Sequence, residues 1–185
     1  MRSRILVLTR TGCQTGRMGA YTDLLRRLGH HRWFAVLGRR LVGADRAIQQ
    51  ATGGRWSVIG RHGLPPLLLT TTGARTGQPR TVPLIYAEHP AGYVVTASNW
   101  GQPHHPAWSG NLLANPDATV CVAGRNIPVR ARLVQADERR ALWLLVTAIW
   151  PAYDTYATRS GRDIRVFLLE PRERPNRPPS TEVPL

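Results

Sequence analysis

LLLTTTGARTGQPR, residues 67–80, is the stretch on which the fold turns. Leu67, Leu68, Leu69, Thr70 and Thr71 read as a buried strand running into a loop, and Pro79 then opens a second strand. In that loop Gly73 and Gly77 can adopt positive φ and expose successive backbone N–H groups. Thr72 and Thr76 add hydroxyls, and Arg75 and Arg80 add guanidinium forks that match phosphate oxygens. The loop therefore reads as an anion-binding hairpin. It has neither a GKS or GKT sequence nor GxGxxG, and a plain glycine-containing turn with its arginines in solvent is the competing reading.

Working outward, the same strand-like text continues. Further strands are expected at 55–59, 81–87, 93–97, 119–122, 127–134 and 164–169, with HPAG (89–92) as a hairpin turn. In the 127–134 strand Ile127, Val129, Ala131 and Leu133 alternate with Arg130 and Arg132, the mark of a half-buried strand. Helices are expected over 106–114, stopped by Asn115-Pro116, and over 137–149, stopped before Pro151. Mostly antiparallel strands with few helices predict a mainly β domain, a small barrel over 55–170, and not a parallel βαβ sheet.

On the N-terminal side, residues 1–17 show no useful period and read as a disordered leader, with Met18 as the more natural start. An intact mass beginning at Met1 or Arg2 in the native host would overturn that start. Residues 18–54 read as a helical segment: Leu24, Leu25 and Leu28 share one face up to Gly29, and Trp33, Val36, Leu37 and Leu41 share another opposite Arg32, Arg39 and Arg40. That segment either covers the core or rests its arginines, Trp33 and Phe34 on an anionic membrane. Residues 171–185 hold five of the fifteen prolines and read as a flexible tail.

At 185 residues the chain supports one domain with a real core. All 25 basic residues are arginine, against 11 acids, for a net charge of +14. Ten of those arginines against two acids fall in 1–50, and twelve against seven in 51–170. This bias attracts polyanions, whether nucleic acid, acidic lipid or a small anionic ligand, but no nucleic-acid motif accompanies it, so no nucleic-acid partner is expected. Two cysteines, Cys13 and Cys121, make neither a disulfide framework nor a zinc site. A cytoplasmic protein is expected, at most peripheral to the inner face of the plasma membrane.

Two further stretches can carry chemistry. In ASNWGQPHHPAWSGNLLANP (97–116) a strand ends in a polar, aromatic loop, and Pro106 starts a helix whose first N–H groups can receive an oxygen. Trp100 and Trp108 offer flat surfaces. His104 and His105 are adjacent, so their side chains diverge, and with no third ligand at useful spacing no metal is expected. In IWPAYDTYATRSGRDI (149–164) Trp150, Tyr153 and Tyr156 recur every three residues on one side of a helical turn. They form either an aromatic stripe closing the barrel end or a wall over a flat substrate with two phenols as donors.

TTTGARTGQPRTVPL, SNWGQPHHPAWSGNLLANP and WPAYDTY followed by VFLLEP, in this order across residues 20–171, resemble the deazaflavin-dependent nitroreductases, the actinobacterial quinone reductases that use coenzyme F420. The resemblance implies an FMN-binding-type split β-barrel like that of the pyridoxamine-phosphate oxidases, with helices N-terminal to it. It implies hydride transfer from reduced F420 to a quinone or similar planar acceptor; a non-catalytic F420 or flavin carrier is the alternative. By the same resemblance Arg75, Thr76, Gly77, Gln78, Pro79 and Arg80 grip the coenzyme's phosphate and acidic tail. Ala97, Ser98, Asn99, Ala107, Trp108 and Asn111 line the deazaflavin side. Ile85, Trp150, Tyr153 and Tyr156 face the acceptor, with Ser98, Tyr153 and Tyr156 assisting the reaction. Ile85 and Trp150 stand where nitroimidazole-reducing members have tyrosine, and Asn99 where they have lysine, which argues against nitroimidazole activation while leaving coenzyme binding intact. The oligomeric state stays open, a homodimer included.

Overall fold

The structure, a computed structural model, describes residues 28–31, 33 and 66–172. The leader, nearly all of the N-terminal helical segment, the strand expected at 55–59 and the tail beyond 172 lie outside the described residues. Strands β1 (Pro66–Thr72), β2 (Pro79–His89), β3 (Gly92–Thr96), β4 (Asp117–Val122), β5 (Arg125–Leu133) and β6 (Val166–Pro171) pair antiparallel throughout. They close into a barrel in the order β1-β2-β3-β6-β5-β4. Helix α1 (Ala107–Ala114) follows β3 and a 3-10 turn at Asn99–Gly101; α2 (Ala136–Ile149) and α3 (Ala152–Ser160) lie between β5 and β6. The mainly β barrel expected from sequence is the one observed; its strands, α1 and α2 begin and end within two residues of their expected limits, while α3 extends the helical turn expected after Pro151 into a nine-residue helix.

Side-chain alternation sorts the core into two layers. Leu67, Leu69, Val95, Ala97, Val129, Ala131, Phe167 and Leu169 fill the barrel interior with Trp108 and Leu112 of α1. Their sequence neighbours Val94, Val166 and Leu168 point outward, where Leu142, Val146, Trp150, Tyr153 and Tyr156 of the α2–α3 region cover them. Each fully buried side chain of this size contributes roughly 1.5–3 kcal/mol. The exposed ion pairs contribute less, about 0–1 kcal/mol each, even the fork of Arg132 on Glu138 at 2.6 and 2.8 Å. Burial therefore holds the barrel, and the outward arginines of β5 decorate it.

Local chemistry sets the corners. β4 and β5 are joined by two residues, Ala123 (φ 49) and Gly124 (φ 78), both left-handed as a tight hairpin of matching twist requires. Asp137 and Glu138 offset the positive end of α2. Pro151 keeps Trp150 (φ −132, ψ 88) out of the helical region, which ends α2 there, and Gly161 (φ 62) ends α3. These stops aim Trp150, Tyr153 and Tyr156 at the barrel wall.

Candidate active site

The β1–β2 loop is exposed from Ala74 to Arg80, but its backbone is not an open nest of N–H groups. Only Gly77 takes positive φ, at 66°. Gly73 is buried and serves a close approach, since a Cβ there would lie 2.9 Å from Thr76 Oγ1 and 3.1 Å from the Gln78 carbonyl. The N–H groups of Thr76 and Gly77 donate to the Gly73 carbonyl at 3.2 and 2.8 Å, and Gly73 N donates to the Gln78 carbonyl at 2.9 Å. The sequence expectation of successive exposed N–H groups is thus corrected: the tight turn consumes them internally, and what the loop exposes is the side chains of Arg75, Arg80 and Thr76.

Asn111 of α1 ties that loop to the barrel. Its Oδ1 accepts from Ala74 N at 3.0 Å and its Nδ2 donates to Thr71 Oγ1 at 3.0 Å. With 8% of its surface exposed, Asn111 acts on the loop from below. Ala107 is exposed at the start of α1. Trp108 packs into the barrel with its ring 5.8 Å from that of Phe167, and the Ala97 side chain is likewise interior. Of the residues expected on the coenzyme side, these last two support the wall without presenting a face to it.

Ser98 and Asn99 sit where β3 leaves the barrel. Asn99 (φ 48), Trp100 (φ 57) and Gly101 (φ 74) are three consecutive left-handed residues, and Asn99 Nδ2 donates to the His104 carbonyl at 3.0 Å. The Ser98 hydroxyl meets no hydrogen-bond partner among the described residues. Arg162, which sequence reading left aside, reaches into this loop from beyond α3 and contacts His105. Its only sequence signal was a place just after a helix-ending glycine.

The residues expected on the acceptor side, Ile85, Trp150, Tyr153 and Tyr156, come together as one layer outside the barrel. Ile85, Tyr86, Ala87, Val146, Ile149 and Tyr153 pack along a narrow seam between β2 and the helices with no room for a water molecule. The rings of Tyr153 and Tyr156 are 6.3 Å apart, and Trp100 lies 6.5 Å from Tyr156, joining this layer to the Ser98 loop. Burial holds the Tyr153 phenol well above the ordinary phenol value, the neighbouring Tyr156 adding to it and Thr96 opposing. Burial raises Tyr156 too, with Trp150 and Arg159 opposing. Both phenols are therefore protonated donors at neutral pH. Thr96, missed from sequence because it lies inside a strand, is buried beside Tyr153, yet its hydroxyl meets no partner in good geometry among the described residues. The Tyr156 hydroxyl donates to the Gly29 carbonyl at 3.0 Å. His30 Nδ1 lies 2.5 Å from Thr155 Oγ1, and Arg159 donates to the His30 carbonyl. Residues 28–31 thus roof the aromatic layer.

Charge is partitioned across the molecule. Arg130, Arg132, Arg139, Arg140 and Arg172 pair with acids. Arg75, Arg80, Arg125, Arg159, Arg162 and Arg165 have no carboxylate partner among the described residues; Arg125 lies at the β4–β5 hairpin, and the other five lie on the two loops and around α3 and the start of β6. With this geometry stands a match of residues 37–171 to the family described as F420H(2)-dependent quinone reductase. The chain belongs to that family. An F420H(2)-dependent quinone reductase of Mycobacterium tuberculosis is 38% identical over 156 residues, covering 81% of this chain and 99% of the relative. The solved structure of an F420-H2 dependent reductase, FDR-A, is 39% identical with a TM-score of 0.54, covering 57% of this chain and 94% of that one. A relative solved as a domain-swapped dimer is 36% identical with a TM-score of 0.55, covering 69% of this chain and 94% of its own. The matched span holds both loops and the aromatic layer, so the family's fold and the site lie in one stretch of chain.

Proposed function

We propose that the protein is an F420-dependent oxidoreductase that transfers a hydride from reduced F420 to a quinone or similar flat, conjugated acceptor. The observation that carries this reading is the adjacency of an unpaired arginine edge, suited to a ligand with a phosphate and an acidic tail, to a buried layer of neutral phenols, in a chain of the F420H(2)-dependent quinone reductase family. The donor set fits such a coenzyme: cationic side chains at the anion loop and backbone and hydroxyl donors at Ser98 and Asn99, while Asp163, the acid beside the second loop, is paired with Arg139.

When bound, the reduced deazaflavin supplies the hydride, so no protein nucleophile is required. Arg75, Thr76 and Arg80 hold the anionic end while Asn111 keeps their loop fixed. Gly77, Gln78 and Pro79 shape that loop, and Ser98 and Asn99 border the ring side. Ile85, Trp150 and Tyr156 exclude water from the acceptor side, which strengthens the remaining polar contacts. Tyr153 stays protonated by burial and offers its Oη–H to the oxygen that gains charge on the acceptor. Purified protein mixed with reduced F420 and menadione should oxidise the coenzyme, read from its absorbance. An absence of oxidation across quinones, enones and nitroaromatics overturns the reading.

Contact of residues 20–50 with the inner face of the plasma membrane belongs to the same proposal. Trp33, with 54% of its surface exposed, and the arginine bias of the first fifty residues support it. Anionic liposomes should sediment the full chain but not one lacking residues 1–50; equal sedimentation removes the idea. Homodimerisation is supported by the relative solved as a domain-swapped dimer, and sedimentation velocity showing only monomer at micromolar concentration would overturn it.

A further inference from the structure

We propose that Arg162 is the positioning residue that fixes the 97–105 loop in its strained conformation, so that Ser98 and Asn99 are presented to the coenzyme; this rests on the F420 reading above. Three left-handed residues in a row, two of them not glycine, are a conformation the chain does not keep unaided. The loop's own bonds are few: Gly101 N to the Ser98 carbonyl at 3.0 Å, Gln102 N to the Asn99 carbonyl at 3.1 Å, and the Asn99 side chain to the His104 carbonyl.

Arg162 makes four contacts around them. Its Nη2 donates to the carbonyls of Ala97 at 3.0 Å and Ser98 at 2.8 Å, its Nε donates to the Gln102 carbonyl at 3.0 Å, and its Nη1 lies 2.8 Å from His105 Nδ1. One planar group thereby grips the loop at its entry, middle and exit. A guanidinium has five N–H donors in a fixed plane, which suits this convergence; an ammonium of the same charge has three on a rotor and does not reproduce it. Among the described residues no carboxylate holds Arg162, and the nearby Asp163 pairs with Arg139 instead. The guanidinium therefore serves carbonyl oxygens and leaves its charge unneutralised beside Arg165. For His105, Nδ1 is the acceptor of this contact, so its ring belongs to the clamp in the neutral form.

The test uses the full chain with Arg162→Lys and Arg162→Gln. Backbone hydrogen exchange of the coenzyme-free proteins should rise about tenfold or more at 98–105 in both variants, as expected for loss of several hydrogen bonds to a charged group, with β-strand exchange unchanged. The KM for reduced F420 should rise by a similar factor in both, with the KM for menadione unmoved. Unchanged exchange at 98–105 overturns the proposal, and so does full rescue by Arg162→Lys, which would reduce the role to charge. If either variant fails to fold, His105→Ala removes one contact only and should raise exchange at 102–105; no rise there overturns the clamp. Failure of the wild-type protein to bind F420 would overturn the functional reading, while exchange in the coenzyme-free protein still decides the positioning role.

Discussion

Replacing Asn111 by alanine isolates the link between the barrel and the anion loop. The side chain makes two hydrogen bonds at 3.0 Å, one received from Ala74 N and one given to Thr71 Oγ1, whose residue is only 1% exposed. Two neutral hydrogen bonds are worth about 0.5–1.5 kcal/mol each, and leaving buried partners unmet raises the cost, so about 2–4 kcal/mol of stability should be lost. For a chain of this size that corresponds to about 2–4 °C in Tm per kcal/mol. Because the lost bonds anchor the loop bearing Arg75 and Arg80, F420 affinity should fall as well. Asn111→Asp adds a second effect: its Oδ1 still accepts from Ala74 N, but it gives up the Nδ2 donor to Thr71 Oγ1 and buries a negative charge beside the loop, so it should lower stability as well and weaken F420 binding more than Asn111→Ala does. Thermal unfolding of the coenzyme-free proteins and fluorescence titration with F420 read both quantities. A change below about 0.5 kcal/mol in Asn111→Ala, within the range of ordinary surface substitutions, together with unaltered F420 affinity would refute the reasoning.

Other consequences are as direct. Gly29→Ala sets a Cβ 2.5 Å from Trp150 Cζ2 and 3.2 Å from the Ala152 Cβ, so it should cost about 1–3 kcal/mol and lift the roof off Tyr156; an unchanged Tm with unchanged protease sensitivity near residue 29 would contradict this. Tyr153→Phe should leave the fold intact but lower kcat with menadione at least about tenfold, because a positioned proton donor is lost, and a kcat equal to wild type would exclude Tyr153 from that role. Burial first, then Arg165 and Arg162, lower the His105 pKa below its ordinary 6.5 against the opposing pull of Asp163. The unfolded chain then binds the proton more readily, so the stability that neutral His105 contributes is present above pH 6.5 and is lost as pH falls below it. His105→Gln should flatten that acid limb of Tm against pH, and an identical limb in the variant would show that another group titrates.

The fold was legible because its signals are local and repeated. Alternation of Ile127, Val129, Ala131 and Leu133 with arginines marks one strand face, and the stops at Pro116 and Pro151 mark helix ends. The positions of Tyr153 and Tyr156 on one side of α3 followed from spacing alone. What the sequence concealed depends on contacts distant along the chain. Arg162 meets carbonyls about sixty residues away, Asn111 reaches back to Thr71, and Tyr156 finds Gly29 across 127 positions. No periodicity encodes such pairs. The inward use of the loop N–H groups escaped for a related reason: glycine composition fixes what a turn can do, while the bonds the turn makes decide what it exposes.

The division between paired and unpaired arginines bears on capture as well as affinity. Five arginines spend their charge on Asp117, Asp137, Glu138, Asp163 and Glu170, while Arg75, Arg80, Arg162 and Arg165 have no carboxylate partner among the described residues and keep their charge for whatever approaches the two loops. A polyanionic ligand drifting past is drawn toward that edge before it touches anything. The association rate should therefore decline steeply as salt shortens the reach of the field to about 8 Å at physiological strength, whereas departure, governed by contacts already made, should respond far less. Charge placement of this kind makes the molecule a collector for its donor at low concentration, independently of how tightly the donor is finally held.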